Sequence, residues 1–165
     1  MNILAIDPGF ERIGIAIIRH NPKEKDLLVY SSCFKTSAKI NFNERLRLIG
    51  KEVERIIKKY KPEVLAIEKL FFTTNQKTVM GVSEARGVII YVASLLGLSV
   101  YEYTPPQIKV AVTGYGKADK NQVMSMVYKL IKIDVPTNSD DELDAIAIGL
   151  TCLAYEKFST TKRSC

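Results

Sequence analysis

The stretch ILAIDPGFERIGIAII, residues 3 to 18, carries most of the information about the fold. Two apolar runs flank a DPG turn, which predicts adjacent antiparallel strands over residues 2 to 7 and 12 to 19. The first run ends on Asp7, and VLAIE ends on Glu68 in the same way. A carboxylate that closes a buried strand needs a partner, so both acids are candidate functional residues.

The rest of the chain predicts a single α/β domain. Further strands are expected at 27–36, 64–68 and 98–103, and helices at 43–60, 74–97, 105–112, 120–132 and 140–157. Asn43 is the expected N-cap of the first helix. The layout predicts a five-stranded mixed sheet, a three-strand antiparallel meander plus two parallel strands, with helices on both faces. We expect the domain to span residues 1–158 and residues 159–165 to form a flexible tail.

Composition restricts the class of protein without selecting a function. The 165 residues are 47% hydrophobic and 25% charged with a net charge of +6, which is typical of a globular domain. The basic balance leaves two readings open, a solvated surface and binding to a polyanion. No apolar run is long enough to span a bilayer, no secretory signal is recognisable, and three scattered cysteines favour a reducing, cytoplasmic compartment.

The single histidine argues against two kinds of site, a zinc centre built from several histidines and a Ser-His-Asp catalytic arrangement. His20 alone cannot build a zinc centre from several histidines, and no nucleophile motif accompanies it. We interpret it as a solvated turn residue.

A third acidic group lies in SDDELDAIAIGL, residues 139 to 150. Asp140 and Glu142 fit the first turn of a helix, where the helix dipole favours negative charge. Asp141 and Asp144 are three residues apart and share a helix face. Asp144 lies among apolar neighbours, which is a poor place for a charge without a partner.

Convergence of these acids predicts a metal site. Two carboxylates about 4 Å apart repel by ~4 kcal/mol at an effective dielectric of ~20, so a counter-charge is required. Carboxylate oxygens without histidine or cysteine support favour Mg²⁺ or Mn²⁺. Divalent ions of this kind activate water and polarise phosphodiesters.

The ordered motifs IDPGFERIGIAII, LAIEKLFF, SEARGVI, QIKVAVTGYGKADKNQV and DDELDAIAIG resemble the RuvC family of bacterial Holliday junction resolvases, which have the ribonuclease H-like fold. The resemblance covers about residues 2 to 155. ERIGIA departs from it and is closer to the related YqgF-type nucleases. The resemblance implies a crossover junction endodeoxyribonuclease that resolves four-way DNA junctions by paired, symmetric nicks that leave 5′ phosphates.

The same resemblance implies the residues of the site. The acids matching the family's metal ligands are Asp7, Glu68, Asp141 and Asp144, with two Mg²⁺ ions per site and Mn²⁺ as a substitute. Asp140 stays open as an alternative to Asp141. Lys120 matches a catalytic lysine, and the implied DNA-binding residues are Phe71, Phe72, Lys109, Lys117 and Lys120.

The resemblance also implies partners, and alternative functions remain open. We expect branched DNA as substrate, a homodimer formed through helix 74–97, no membrane, and a branch-migration helicase beside the enzyme. The alternatives are a nuclease of this fold acting on other branched DNA or RNA, a non-catalytic DNA-binding module, and an actin-like ATPase or sugar kinase.

Overall fold

A mixed β-sheet flanked by helices forms the centre of the structure, a computed structural model that describes residues 1–70 and 76–161. The strands are β1 (Asn2–Asp7), β2 (Arg12–Arg19), β3 (Leu27–Lys35), β4 (Val64–Glu68), β5 (Ser99–Tyr103) and β6 (Lys132–Ile133). The helices are α1 (Phe42–Tyr60), α2 (Gln76–Leu95), α3 (Pro105–Thr113), α4 (Lys120–Leu130) and α5 (Asp140–Thr161). None of these described helices is both long and apolar enough to cross a membrane.

The strand order β5-β4-β1-β2-β3-β6 places β1 at the centre of the sheet. β1 pairs antiparallel with β2, where Asp7 lies opposite Gly14, and parallel with β4, where Ile6 lies opposite Ile67. β5 continues the parallel half beside β4. The carboxyl ends of β1, β4 and β5 therefore meet at one edge of the sheet.

The predicted mixed α/β architecture is confirmed, but the predicted strand count of five is wrong because the sheet has six strands. The sixth strand, β6, follows α4 and pairs in parallel with β3 at Leu27 and Leu28. The chain leaves α4 at Ile131 in an extended conformation, and the Lys132 amide donates to the Asp26 carbonyl at 2.9 Å. Two residues are too few to show an alternating pattern, so no sequence signal indicates this strand.

Helix boundaries follow local capping chemistry. The N-cap of α1 is Asn41, not Asn43, because the Asn41 side chain accepts the Glu44 amide at 2.8 Å. α4 begins after a capping box in which Asp119 and Gln122 bond each other's backbone amides, as the spacing predicts. Lys120, one of the candidate site residues, is thereby fixed in the first turn of α4.

Alternation along the strands divides the core into two layers. Leu4 and Ile6 pack against α1 and α2 in one layer, whereas Ile3 and Ala5 pack against the helices α3, α4 and α5 in the other. Successive side chains of a strand point to opposite faces, so position 7 belongs to the face of Ile3 and Ala5. The last residue of β1 therefore faces the layer that contains α5.

Candidate active site

Strand parity brings the first two acids to the same place. Asp7 follows Ile3 and Ala5 on the α5 face, and Glu68 follows Val64 and Ala66 on that face. Because β1 and β4 are parallel neighbours with Ile6 opposite Ile67, Asp7 and Glu68 stand at equivalent positions at the carboxyl edge. This edge is where open α/β sheets bind ligands.

Two glycines bring α5 close to these strand ends. A Cβ added at Gly149 would lie 2.5 Å from Ile18 Cδ1 and 3.1 Å from Ala5 Cβ, so the helix packs directly on the sheet. A Cβ added at Gly14 would lie 1.9 Å from the Asp141 carbonyl oxygen. A larger residue at either position would push away the helix that carries Asp144.

The approach of α5 encloses a cavity of about 310 Å³ at the strand ends. Three acids and two lysines line it, together with apolar residues of α3, α4 and α5: Asp7, Glu68, Asp144, Lys109, Lys120, Pro105, Ile108, Val123, Ala147 and Ile148. The cavity thus combines clustered negative charge with lysines that can contact an anionic ligand.

Burial, and after it the proximity of like charges, raises the pKa values of the cavity acids. Burial, followed by repulsion from Glu68, Asp144 and Asp141, raises the pKa of Asp7 from 3.8 to about 7, against a smaller opposing effect of Lys120. Burial and the charge of Asp144 raise the pKa of Glu68 above its ordinary value. Burial also raises the pKa of Asp144. Ionisation of each of these three carboxyl groups is therefore unfavourable in the cavity, and a bound cation would favour it.

Asp141 is held differently from these three acids. Arg12 donates from Nε to Asp141 Oδ2 at 3.0 Å and also from Nη2, and the Cys33 thiol donates to the same oxygen at 3.4 Å. The hydrogen bonds from Arg12 hold the pKa of Asp141 below its usual range. Asp141 is nevertheless near enough to Asp7 to raise the pKa of that group.

Asp140 lies on the solvent side of the helix start. Its carboxylate contacts Lys120 Nζ at 3.2 Å, and the same ammonium lies 3.4 Å from Asp144 Oδ2. The Asp140 side chain is 68% exposed, against 23% for Asp141. Of the two candidates that the sequence left open, Asp141 is the more enclosed and the one that acts on Asp7.

Comparison with known proteins places this geometry in a family. Residues 3–152 match the family model of the crossover junction endodeoxyribonuclease RuvC. The chain belongs to the RuvC family. The protein of that name from Halothermothrix orenii is 42% identical over 150 residues, 91% of this chain and 90% of the relative. The one from Fusobacterium nucleatum subsp. nucleatum is 40% identical over 151 residues, 92% of this chain and 79% of the relative.

A solved structure confirms the predicted family and its ribonuclease H-like fold. Thermus thermophilus RuvC in complex with a Holliday junction substrate matches with a TM-score of 0.90 at 30% identity, and the match covers 97% of each chain. The closer likeness to YqgF-type nucleases noted at ERIGIA therefore does not change the family assignment.

Membership of the RuvC family implies a divalent metal cofactor, and the donors present fit one. Asp7, Glu68 and Asp144 offer hard carboxylate oxygens, and burial together with neighbouring acids raises their pKa values. Within residues 1–70 and 76–161, however, no three acids, histidines or cysteines are already gathered closely enough to hold a metal ion. Asp141 is instead paired with Arg12, and Asp144 lies 3.4 Å from Lys120 Nζ.

The other predicted site residues of this RuvC-family chain are distributed around the cavity. Lys109 and Lys120 line it, whereas Lys117 is exposed in the loop between α3 and α4 and does not line the cavity. Phe71 and Phe72 lie outside the described residues, so their roles remain predictions.

Sequence reasoning missed Arg12 and Gly14, although a signal for both was present. Residues 12, 14, 16 and 18 of β2 share one face, and Ala16 and Ile18 pack in the α5 layer. Position 12 therefore lies on the face covered by α5, where an arginine side chain can reach the acids of the first α5 turn. Antiparallel pairing of Gly14 with Asp7 gives the same placement.

Proposed function

We propose that this chain is a structure-selective endonuclease that resolves four-way DNA junctions by paired, symmetric nicks that leave 5′ phosphates. The observation that carries the proposal is one cavity, at the carboxyl edge of a RuvC-family sheet, lined by Asp7, Glu68 and Asp144. Thermus thermophilus RuvC, which shares the fold over 97% of this chain, was solved with a Holliday junction substrate.

The cavity acids are the proposed metal ligands. Asp7, Glu68 and Asp144 would hold two Mg²⁺ ions together with Asp141, and Mn²⁺ would substitute. When bound, such ions lower the pKa of water and stabilise charge on a phosphodiester. Asp141 is preferred over Asp140 because it is the more enclosed acid and interacts with Asp7.

The lysines would position the substrate strand. Lys109 and Lys120 line the cavity, so a scissile phosphate placed among the acids would lie within reach of both ammonium groups. Lys120 would balance the charge that develops on the phosphate, since its position in the first turn of α4 is fixed by the Asp119 capping box. Lys117, which is exposed, would contact a more distant phosphate.

Phe71 and Phe72 would act on the bases. An aromatic side chain stacked on an unpaired base contributes about 1–3 kcal/mol, and opening the centre of a junction exposes such bases. Phe71 follows Glu68, the last residue of β4 and a residue of the cavity lining, by three positions in the sequence.

A two-fold junction calls for two copies of the site, so we propose a homodimer. α2 is the proposed contact because its outer face exposes large apolar side chains, with Met80 64%, Tyr91 65% and Leu95 68% exposed. A branch-migration helicase stays a predicted partner, since no described residue identifies the surface it would use.

The test is cleavage of a synthetic four-way junction whose strands are end-labelled one at a time. With Mg²⁺ the chain should nick two opposed strands at symmetric positions and leave a linear duplex intact. Asp7→Asn should abolish nicking, whereas Asp134→Asn, at an exposed aspartate paired with Lys132, is the matched control. Equal cutting of junction and duplex, or no nicking with Mg²⁺ or Mn²⁺, would contradict the proposal.

A further inference from the structure

The side chain of Arg12 occupies a carboxylate oxygen that the proposed metal site needs. Asp141 Oδ2 accepts from Arg12 Nε at 3.0 Å, from Arg12 Nη2, and from the Cys33 thiol at 3.4 Å. Asp141 thereby differs from Asp7, Glu68 and Asp144, which line the cavity. The proposed fourth ligand is held by an arginine of the same chain.

The backbone fixes both partners of this ion pair. Arg12 begins β2 two residues before Gly14, and the Gly14 backbone packs so tightly on Asp141 that an added Cβ would lie 1.9 Å from its carbonyl oxygen. The contact places the two backbones side by side. Rotation of the two side chains is sufficient to open the ion pair.

Arg12 and a metal ion compete for the same charge. A guanidinium and a divalent cation both take the lone pairs of a carboxylate, and their like charges repel when both approach one oxygen. A cation that draws Asp141 towards Asp7 must therefore displace Arg12. In protein without DNA, Arg12 should weaken metal binding.

A DNA strand offers Arg12 another partner. The Arg12 side chain is 50% exposed, so it can leave Asp141 without unfolding any element. Guanidinium groups pair bidentately with phosphate, and these charge-assisted bonds are among the stronger hydrogen bonds in proteins. A backbone phosphate beside the cavity can therefore replace the carboxylate.

We propose that Arg12 is a positioning residue that exchanges Asp141 for a DNA phosphate, so that Asp141 turns to the metal only when a strand is bound. The proposal rests on the proposed nuclease function and adds to it a coupling between substrate and metal. Such coupling is reciprocal, so the metal must tighten DNA binding by the factor by which DNA tightens metal binding. It keeps the metal site incomplete until substrate arrives.

The first test is a Mn²⁺ titration of the DNA-free chain, followed by electron paramagnetic resonance. Arg12→Ala should bind Mn²⁺ ~3–10-fold more tightly than the wild type, since it removes the competing cation of a partly exposed ion pair. The matched control is Arg55→Ala, because the Arg55 side chain is also 50% exposed and also pairs with an acid, Glu52. Equal affinity of Arg12→Ala and wild type would overturn the proposal.

Two further variants separate release of Asp141 from a general loss of positive charge. Arg12→Gln keeps a polar side chain at the position and should reproduce the tighter Mn²⁺ binding, with thermal unfolding reported beside it. In an Asp141→Asn background, removal of Arg12 should give no gain. A gain that persists in that background does not pass through Asp141 and contradicts the mechanism.

The second test measures junction affinity by fluorescence anisotropy with and without Ca²⁺. The tightening that Ca²⁺ produces should be several-fold larger in the wild type than in Arg12→Ala, because only the wild type must break the ion pair. Identical tightening in both proteins would overturn the coupling. If the chain neither binds nor cuts junctions, the nuclease proposal fails, whereas the Mn²⁺ titration still decides the competition between Arg12 and the metal.

Discussion

The two faces of the sheet use the same strands for different purposes. On the face of α1 and α2, the strands present large aliphatic side chains such as Leu4, Ile6 and Ile67, all fully buried. On the face of α5, they present the small residues Ala5, Ala16 and Ala66 among larger ones such as Ile3 and Ile18, and the acids follow at the strand ends. The small residues let a helix descend onto the sheet, and that descent brings Asp144 to the cavity. Both faces bury an apolar core, but only the α5 face ends in the acids of the cavity.

Removal of an acid without removal of a core residue should have the largest effect on catalysis. Asp7→Asn should lower the rate of junction cleavage by at least ~1,000-fold, since a metal site contributes several kcal/mol of transition-state stabilisation. Single-turnover cleavage with excess enzyme is the measurement. Thermal unfolding should show that the variant is folded, and retention of more than a tenth of the wild-type rate would remove Asp7 from the metal site.

The converse change removes core without touching an acid. Ile56→Ala empties a fully buried position of α1 and should lower the free energy of unfolding by about 2–5 kcal/mol. Urea denaturation gives that value, and cleavage per folded molecule should be unchanged. A large fall in the rate of the folded fraction would show that the two faces are not independent.

The pH dependence of the free energy of unfolding should report on the acids of the α5 face. The pKa of Asp7 is 3.8 ordinarily and about 7 in the fold, so the folded state binds its proton more tightly than the unfolded chain does. Below pH ~4 Asp7 is protonated in both states and costs nothing. Between pH ~4 and pH ~7 the unfolded chain loses this proton more readily than the folded one, so the free energy of unfolding without metal should fall by on the order of 3 kcal/mol.

Urea denaturation at pH 5 and pH 8 in the presence of a chelator measures this effect. Asp7→Asn should flatten the difference, and added Mg²⁺ should restore stability at pH 8 by binding the folded state. A wild type more stable at pH 8 than at pH 5 without metal would contradict the raised pKa.

The smallest effect expected comes from adding one methyl group to each face. Gly149→Ala places a Cβ 2.5 Å from Ile18 Cδ1 and 3.1 Å from Ala5 Cβ, so Ile18 or α5 must shift. We expect ~3–10-fold slower cleavage, because catalysis depends on fixed distances. Gly50→Ala in α1 is the control on the other face, where the added Cβ makes a looser contact, 3.2 Å from Val88 Cγ1. It should leave cleavage unchanged, and equal slowing in both variants would argue against a special role for the α5 contact.

Much of the site could be predicted because it depends on local rules. The period of two along ILAID and VLAIE puts Asp7 and Glu68 on one face, and the helical spacing adds Asp144. The acids were recognised because a charge beside apolar neighbours conflicts with its surroundings. A conflict of this kind is visible in the sequence without coordinates.

What could not be predicted depends on contacts between distant positions. Arg12 and Asp141 are 129 residues apart. The alternation along β2 puts Arg12 on the face of α5, but only the packing of α5 on the sheet pairs it with Asp141. β6 exists because the outer edge of β3 is available at Leu27 and Leu28, not because Lys132–Ile133 has a strong strand pattern. The N-cap of α1 fell on Asn41 and not on Asn43 because both asparagines suit that role and only the entering backbone decides between them.

Glu142 has a consequence for the way the outer strands influence catalysis. This 4% exposed carboxylate accepts the Ser31 hydroxyl of β3 at 2.6 Å, and its other oxygen accepts the Asn138 amide at 3.2 Å. The first turn of α5 is thus hydrogen-bonded to β3, a strand that contributes no residue to the cavity lining. A substitution at position 31 would remove this hydrogen bond and shift the start of α5, which carries Asp141 and Asp144. Selection on cleavage can therefore act on a serine that lies outside the cavity.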